Sequence, residues 1–126
     1  MKKALLLVIA LIAILPISLQ AQQIPDNASR VSFGKGWVCN AGYVERGSSC
    51  IHVSVATDQE VRRFMIMRSI ASYSGTCACP FNVDRGGRRC GGRSAYSRPG
   101  GAAPLCYDGD ITDRAVQQTR ERYPSN

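Results

Sequence analysis

Apolar residues recur at helical spacing in the middle of the chain, after a stretch that has the form of a helix start. Residues 57–60 (Thr-Asp-Gln-Glu) fit a capping box, in which the threonine hydroxyl and the glutamate side chain each satisfy a free amide of the first turn. An apolar stripe follows from Val61 onward and includes Met65 and Met67. The pattern predicts an amphipathic helix over about 58–73. We expect its methionines to fill the core, although methionines can also form an adaptable binding surface.

Shorter patterns on either side of this helix predict the remaining elements. Residues 37–38 are apolar and residues 51–55 alternate between apolar and polar, which is typical of strands, and turn-forming residues separate the two stretches. We expect a small hairpin, or a pair of short strands, that a Cys39–Cys50 disulfide closes. Near the carboxyl end, Thr112 is suited to cap a short second helix over 112–122.

The amino terminus has the three-part pattern of a secretory signal peptide. Lys2 and Lys3 precede an apolar run over residues 4–17, and small and polar residues then lead to Ala21, after which we expect cleavage. A membrane-spanning helix needs about 20 apolar residues, and this run is shorter, so we expect no stable membrane span after cleavage. The predicted organisation is therefore a signal peptide (1–21), a flexible lead-in (22–35) and one domain (36–126), with periplasmic or secreted localisation.

Six cysteines, all of them after Ala21, indicate a disulfide framework, because an even number in an exported chain normally pairs. A zinc site is the competing interpretation, built from the last four cysteines. Structural zinc sites usually contain C-x(2–4)-C pairs, whereas the close pair here, Cys77 and Cys79, has C-x-C spacing. We expect three disulfides, no metal and no cofactor. Cys39–Cys50 is one expected pair, and the pairing of the other four stays open: Cys77, Cys79, Cys90 and Cys106.

Glycine pairs interrupt the segment from residue 76 to 107, so that no helix or long strand is expected there. Such a segment holds one shape only if it is cross-linked. The expected fold is therefore a small, disulfide-rich, single-domain α+β protein. Its parts are a cysteine-closed hairpin, one amphipathic helix, an irregular arginine-glycine loop and a short C-terminal helix.

Two sequence signatures cover residues 36–107 and resemble modules of small exported proteobacterial cysteine-rich proteins of unknown function. The first is GWxCxxGYxxxGxxC at residues 36–50. The second begins with CxCP at 77–80, continues with RCGGRSAYSRPGG at 89–101 and ends with PLCY at 104–107. The resemblance implies an exported bacterial protein and carries over no catalytic residues.

Charge makes the arginine-glycine loop the best candidate for a binding site. The chain has a formal charge of +7, which falls to +5 in the 105 residues left after removal of the signal peptide with Lys2 and Lys3. Its basic residues are then thirteen arginines and Lys35. Arginine forks near aromatic rings suit phosphate-bearing polymers. The candidate residues for an anionic ligand are Arg85, Arg88, Arg89, Arg93, Arg98 and Tyr96, with Phe81 and Tyr107 beside them.

A structural role for the same arginines is the alternative interpretation. They could donate to loop carbonyls or pair with Asp84, Asp108 and Asp110, because a glycine-rich loop leaves many carbonyls without a partner. Within the loop, the sequence favours Arg93 as structural. It favours Arg85, Arg88 and Arg89 as exposed.

Little in the sequence favours an enzyme. His52 is the only histidine, paired cysteines leave no thiol nucleophile, and helix capping explains the carboxylates at 108, 110 and 113 better than calcium binding does. We therefore expect a non-enzymatic binding module with no catalytic residues. Its partner is expected to be an anionic polymer (nucleic acid, lipopolysaccharide or cell-wall glycan) or an acidic protein. The alternatives are a small secreted hydrolase or nuclease, and a structural or inhibitory protein that docks on another protein.

Overall fold

A computed structural model describes the protein over residues 23–31 and 36–125. The predicted signal peptide and its cleavage position lie outside these residues. The described chain is a small, disulfide-rich α+β domain with four short strands, two α-helices and two single-turn 3₁₀ helices (Gly91–Arg93 and Asp108–Asp110). No helix in the described part is long and apolar enough to cross a membrane. The elements are β1 (Ala28–Arg30), β2 (Trp37–Cys39), β3 (Tyr43–Arg46), β4 (Ser49–His52), α1 (Asp58–Ser72) and α2 (Asp113–Arg122).

The strands form two antiparallel pairs. β1 pairs with β2, with Ala28 opposite Cys39, and β3 pairs with β4, with Tyr43 opposite His52. β1 falls inside the segment 22–35 that the sequence predicted as a lead-in. Its three residues, Ala-Ser-Arg, have no alternating apolar pattern, so only the pairing with β2 reveals them as a strand. The predicted disulfide between Cys39 and Cys50 is confirmed. It connects β2 to β4 and so ties the two strand pairs together, rather than closing one hairpin between residues 37–38 and 51–55.

Helix α1 begins at the capping box. The Glu60 amide donates to Thr57 Oγ1 (3.3 Å), and the Glu60 carboxylate accepts from the Thr57 amide (2.7 Å). The same carboxylate accepts hydrogen bonds from Nε (2.7 Å) and Nη2 (2.6 Å) of Arg46. These bonds tie the start of the helix to strand β3. These bonds lower the pKa of Glu60 from 4.5 to about 2, with the Arg46 hydrogen bond as the largest cause.

The larger core lies between α1, α2 and the β3–β4 pair. Its buried side chains are four valines with Ala56 and Ile111, and the rings of Phe64 and Tyr123 meet edge to face at 6.0 Å where the helices approach. Met65 packs against this core, but Met67 is 55% exposed, so the expectation that the methionines fill the core is wrong for Met67. Met67 faces outward because the buried stripe of α1 passes through Val61 and Met65.

Two arginines fasten α1 and α2 to the core through backbone carbonyls. Arg62 donates to the Asp108 carbonyl (3.1 Å) and to the Ile111 carbonyl, and it pairs with Asp113 at the start of α2. Arg120 donates to the Val53 carbonyl and pairs with Asp58 at 2.6 Å. Both guanidinium groups are mostly covered, so part of the basic charge of this chain is structural.

The glycine-rich half is held by the other two disulfides. Cys77 bonds to Cys90, and Cys79 bonds to Cys106, with sequence separations of 13 and 27. Cys79, Cys106 and Ala78 form a second buried cluster against Ile70 near the end of α1. The four cysteines of the competing zinc interpretation are therefore all bonded in pairs. The six bonded cysteines are typical of an oxidising, non-cytoplasmic environment.

Candidate anion-binding surface

The arginine-glycine loop contains a tight hairpin-like turn over residues 82–90. The Cys90 amide donates to the Asn82 carbonyl and the Asp84 amide to the Arg88 carbonyl, both at 2.8 Å. The Gly87 amide closes the turn on the Asp84 carbonyl at 2.9 Å. Gly87 has φ +76°, a conformation that residues with a Cβ rarely adopt. Gly87, one residue of a glycine pair in this segment, is thus what lets the chain reverse.

Asp84 organises the turn and uses two of the five loop arginines. Its Oδ1 accepts from the amides of Gly86 (2.9 Å) and Arg88 (3.0 Å), and its Oδ2 pairs with the guanidinium groups of Arg93 (3.0 Å) and Arg88 (3.2 Å). These bonds lower the pKa of Asp84, and the Arg88 amide is the largest cause. Arg93 also donates to the Arg89 carbonyl at 3.0 Å. The structural interpretation therefore holds for Arg93, and Arg88 takes part in the same ion pair.

The other three candidate arginines are differently placed. Arg85, Arg89 and Arg98 are exposed, and no carboxylate of the described residues lies within ion-pair distance of them. Arg85 lies at the tip of the turn, and Arg89 lies on its returning arm. Arg98 follows Tyr96 by two residues in a separate loop. These three keep their donors available to a ligand.

Three aromatic rings form an exposed cluster beside the turn. Tyr107 meets Phe81 edge to face at 5.8 Å and Tyr96 edge to face at 5.4 Å. The three side chains remain 46%, 41% and 40% exposed, in that order. Large aromatic side chains gain most of their stabilisation from burial, so three adjacent rings left in water are available to a partner.

Asp110 holds two of these rings in place. Its Oδ1 accepts from the Tyr96 hydroxyl at 2.9 Å, and its Oδ2 accepts from the amides of Cys106 and Tyr107, both at 2.8 Å. Burial of the carboxyl group works against ionisation, but the two amides and the hydroxyl outweigh it and lower the pKa of Asp110. The hydroxyl bond to this carboxylate raises the pKa of Tyr96. Asp110, expected as a possible arginine partner, instead anchors the aromatic cluster.

The turn brings Arg89 onto the same side as Val83. An antiparallel bridge places Val83 opposite Arg89, and directly opposite residues project their side chains to the same face. Phe81 lies just before this bridge, in a turn that the Asn82 amide closes on the Cys79 carbonyl at 3.0 Å. Val83 is exposed and was missed by the sequence reasoning, although the spacing Phe81-Asn82-Val83 has the period of two that could have found it.

We name these residues the arginine–aromatic surface: Phe81, Val83, Arg85, Arg89, Tyr96 and Tyr107. Arg98 adds charge in the neighbouring loop. Within the described residues, no cation–π contact joins Arg85, Arg89 or Arg98 to the three rings. Fork-shaped cations beside exposed rings can hold phosphate oxygens and stack flat apolar groups at the same time. Both nearby carboxylates, Asp84 and Asp110, already accept internal hydrogen bonds, so their charge is partly compensated.

The other residues considered for chemistry have structural partners. His52 meets the Tyr43 ring edge to face at 5.2 Å, and its Nδ1 contacts the Ser54 hydroxyl at 2.7 Å. Asp113 pairs with Arg62. Over residues 23–31 and 36–125, no group of three His, Cys, Asp or Glu side chains converges as metal ligands would. The chain matches no protein-family model, no curated protein and no solved structure.

Proposed function

We propose that this protein is an exported, non-enzymatic binding module whose arginine–aromatic surface holds a phosphate-bearing polymer. The observation that supports this most directly is the position of Arg89. It is exposed, has no carboxylate partner among the described residues, and lies opposite the exposed Val83 across an antiparallel bridge. Its fork of donors is therefore available to a carboxylate or phosphate ligand.

The chemistry of the surface favours phosphate over a carboxylate-rich protein. Guanidinium groups bind phosphate through two parallel hydrogen bonds, and exposed aromatic rings add stacking that an acidic side chain cannot use. The rings are held by Asp110 and by the Cys79–Cys106 disulfide rather than by the ligand. A prearranged surface loses less conformational entropy on binding.

Export is the second part of the proposal. Three disulfides fit an oxidising compartment, and the amino terminus has the pattern of a signal peptide that is cleaved after Ala21. The resemblance to small exported proteobacterial cysteine-rich proteins supports the same conclusion. The proposed location is the periplasm or the medium, where lipopolysaccharide, cell-wall glycan phosphates and released nucleic acid are the accessible polyanions.

A pair of charge-matched triple variants tests the site. Arg85→Ala/Arg89→Ala/Arg98→Ala removes the unpaired loop arginines, and the control removes three exposed arginines elsewhere: Arg30, Arg114 and Arg122. Both variants lose three charges. Fluorescence anisotropy with labelled single-stranded DNA should show binding lost in the loop variant and retained in the control. Equal loss in both would mean that net charge, and no particular surface, binds the polymer.

Salt dependence gives the number of contacts. Three arginine–phosphate contacts with a single strand predict a slope near −2, so the affinity should fall roughly 20-fold between 50 and 200 mM salt. Polyphosphate and lipopolysaccharide serve as parallel probes, and Tyr107→Ala should weaken DNA binding more than polyphosphate binding because only bases stack. An affinity that does not depend on salt concentration for DNA, polyphosphate or lipopolysaccharide would refute the proposal. Degradation of the polymer, with and without chelator, would favour the hydrolase alternative.

A further inference from the structure

A groove between α1 and the strands contains none of the residues of the arginine–aromatic surface in its lining. It has a volume of about 380 Å³ and lies between α1 and the β2–β3 segment. Small-molecule sites usually have volumes from about 300 to 1,000 Å³, so the groove is large enough for one small ligand. Its helix residues are spaced three and four apart from Glu60 to Ala71, which places them in one row along α1.

The floor of the groove is apolar. Phe64, Met67 and Ala71 contribute from α1, and Val44 and Cys39 contribute from the strand side. Met67 is more than half exposed, although an unbranched thioether normally fills apolar space. An apolar ligand tail lying here would cover Met67.

The charges around the groove are asymmetric. Glu60 is already neutralised by the bidentate bond to Arg46, at 2.7 and 2.6 Å. Arg63 and Arg68 are exposed, and neither has a carboxylate within ion-pair distance in the described chain. The Arg68 guanidinium lies over the Phe64 ring, 5.6 Å from its centre, which holds a cation at the margin of the apolar floor.

Glu45 is the remaining charged residue of the lining, and it is exposed on the strand side. With Glu60 paired, two arginines therefore face one carboxylate across the groove. The uncompensated charge lies on the helix side. A ligand that matches this arrangement has an apolar body along Phe64, Met67 and Ala71 and one anionic head at Arg63 and Arg68.

We propose that this groove binds a single-chain carboxylate amphiphile, such as a medium-chain fatty acid. Its alkyl chain lies on the Met67 side of α1, and its carboxylate accepts from the arginine pair. The site is separate from the arginine–aromatic surface, so either proposal can fail without the other.

Methionine-methyl NMR tests this with an internal control, because Met1 would be removed with the signal peptide and leaves Met65 and Met67. Decanoate is added to the exported, disulfide-bonded protein below its micellar concentration. The Met67 methyl resonance should shift in a saturable way, while that of Met65, which does not line the groove, should stay in place. No shift at Met67, or equal shifts of both methyl groups, would overturn the proposal.

The head group and the arginines are tested separately. Decanol has the same chain without the charge and should bind at least about tenfold more weakly than decanoate, since a hydrogen bond to a charged group is lost. The double substitution Arg63→Ala/Arg68→Ala should lower the affinity for decanoate to the affinity that the unsubstituted protein has for decanol. The control Arg114→Ala, on an exposed site of α2, should leave it unchanged. Equal binding of decanol and decanoate by the unsubstituted protein would rule out the arginine pair as the head-group site.

Discussion

Removal of the Cys79–Cys106 disulfide should destabilise this domain more than removal of either other cross-link. The bond closes a separation of 27 residues and lies in the second buried cluster, where Cys79 is 0% and Cys106 is 4% exposed. The double substitution Cys79→Ala/Cys106→Ala removes the covalent link between the two segments that this disulfide joins. Cys39→Ala/Cys50→Ala is the matched control, because it removes a disulfide of the same kind with a separation of 11.

The expected cost follows from loop closure in the denatured chain. A 27-residue loop corresponds to about 3.5 kcal/mol at 25 °C, but the overlapping Cys77–Cys90 bond shortens the path between Cys79 and Cys106 to about 19 residues, and the cost to about 3.2 kcal/mol. Loss of two buried sulfur atoms adds about 1 kcal/mol. The total is about 4 kcal/mol, against about 2.8 kcal/mol for loop closure alone in the Cys39–Cys50 control.

Unfolding by guanidinium chloride under non-reducing conditions measures both free energies. Circular dichroism in the far ultraviolet follows the helices, and the near-ultraviolet signal follows the packing of the aromatic side chains, which include the Tyr96–Tyr107 pair and Trp37. The Cys79–Cys106 variant should lose more stability than the control, and it should lose the near-ultraviolet signal first. A cost below about 1 kcal/mol, or one smaller than that of the control, would refute the view that this cross-link holds the glycine-rich half in one geometry.

Two further predictions concern acid stability and the loop turn. Because the pKa of Glu60 is lowered from 4.5 to about 2 in the folded protein, its ion pair with Arg46 stabilises the fold above about pH 4.5, and this stabilisation is lost as the pH falls towards 2. Urea midpoints measured over that range should depend less on pH in Glu60→Gln; an unchanged pH dependence would contradict the assignment. Gly87→Ala should destabilise by about 1 kcal/mol because φ is +76°, whereas the control Gly92→Ala, with no positive φ and open space around it, should stay within about 0.5 kcal/mol in the same assay. An equal loss of stability in the two variants would contradict the explanation by backbone strain at Gly87.

Local signals in the sequence were sufficient for the helices. The capping box at Thr57 and the cap at Thr112 occur at the two helix starts, because each depends on residues within one turn of the chain. β1 was not predicted, since three residues without alternation become a strand only when β2 supplies their hydrogen-bond partners. Met67 was assigned to the core for a related reason: an apolar residue on a helix has no signal that says which of two apolar rows faces inward.

The site shows the same division. Composition and spacing pointed to the arginine-glycine loop, to its aromatic neighbours and to Arg93 as structural, because charge and residue type are properties of the chain itself. The ion pair between Asp84 and Arg88 is local, because the two residues are four positions apart in the sequence. The link between Asp110 and Tyr96, fourteen residues apart, depends on how the disulfides fold the loop.

The sequence alone therefore determined the classes of element, the covalent chemistry available to six cysteines and the basic character of the loop. The Cys39–Cys50 pair was also predicted from the sequence and is confirmed. Tertiary structure decided how the other four cysteines pair, which arginines keep their donors available, and where the exposed rings lie. The physical reason is that each of these depends on a distance between atoms far apart in the chain, and only the folded backbone sets that distance.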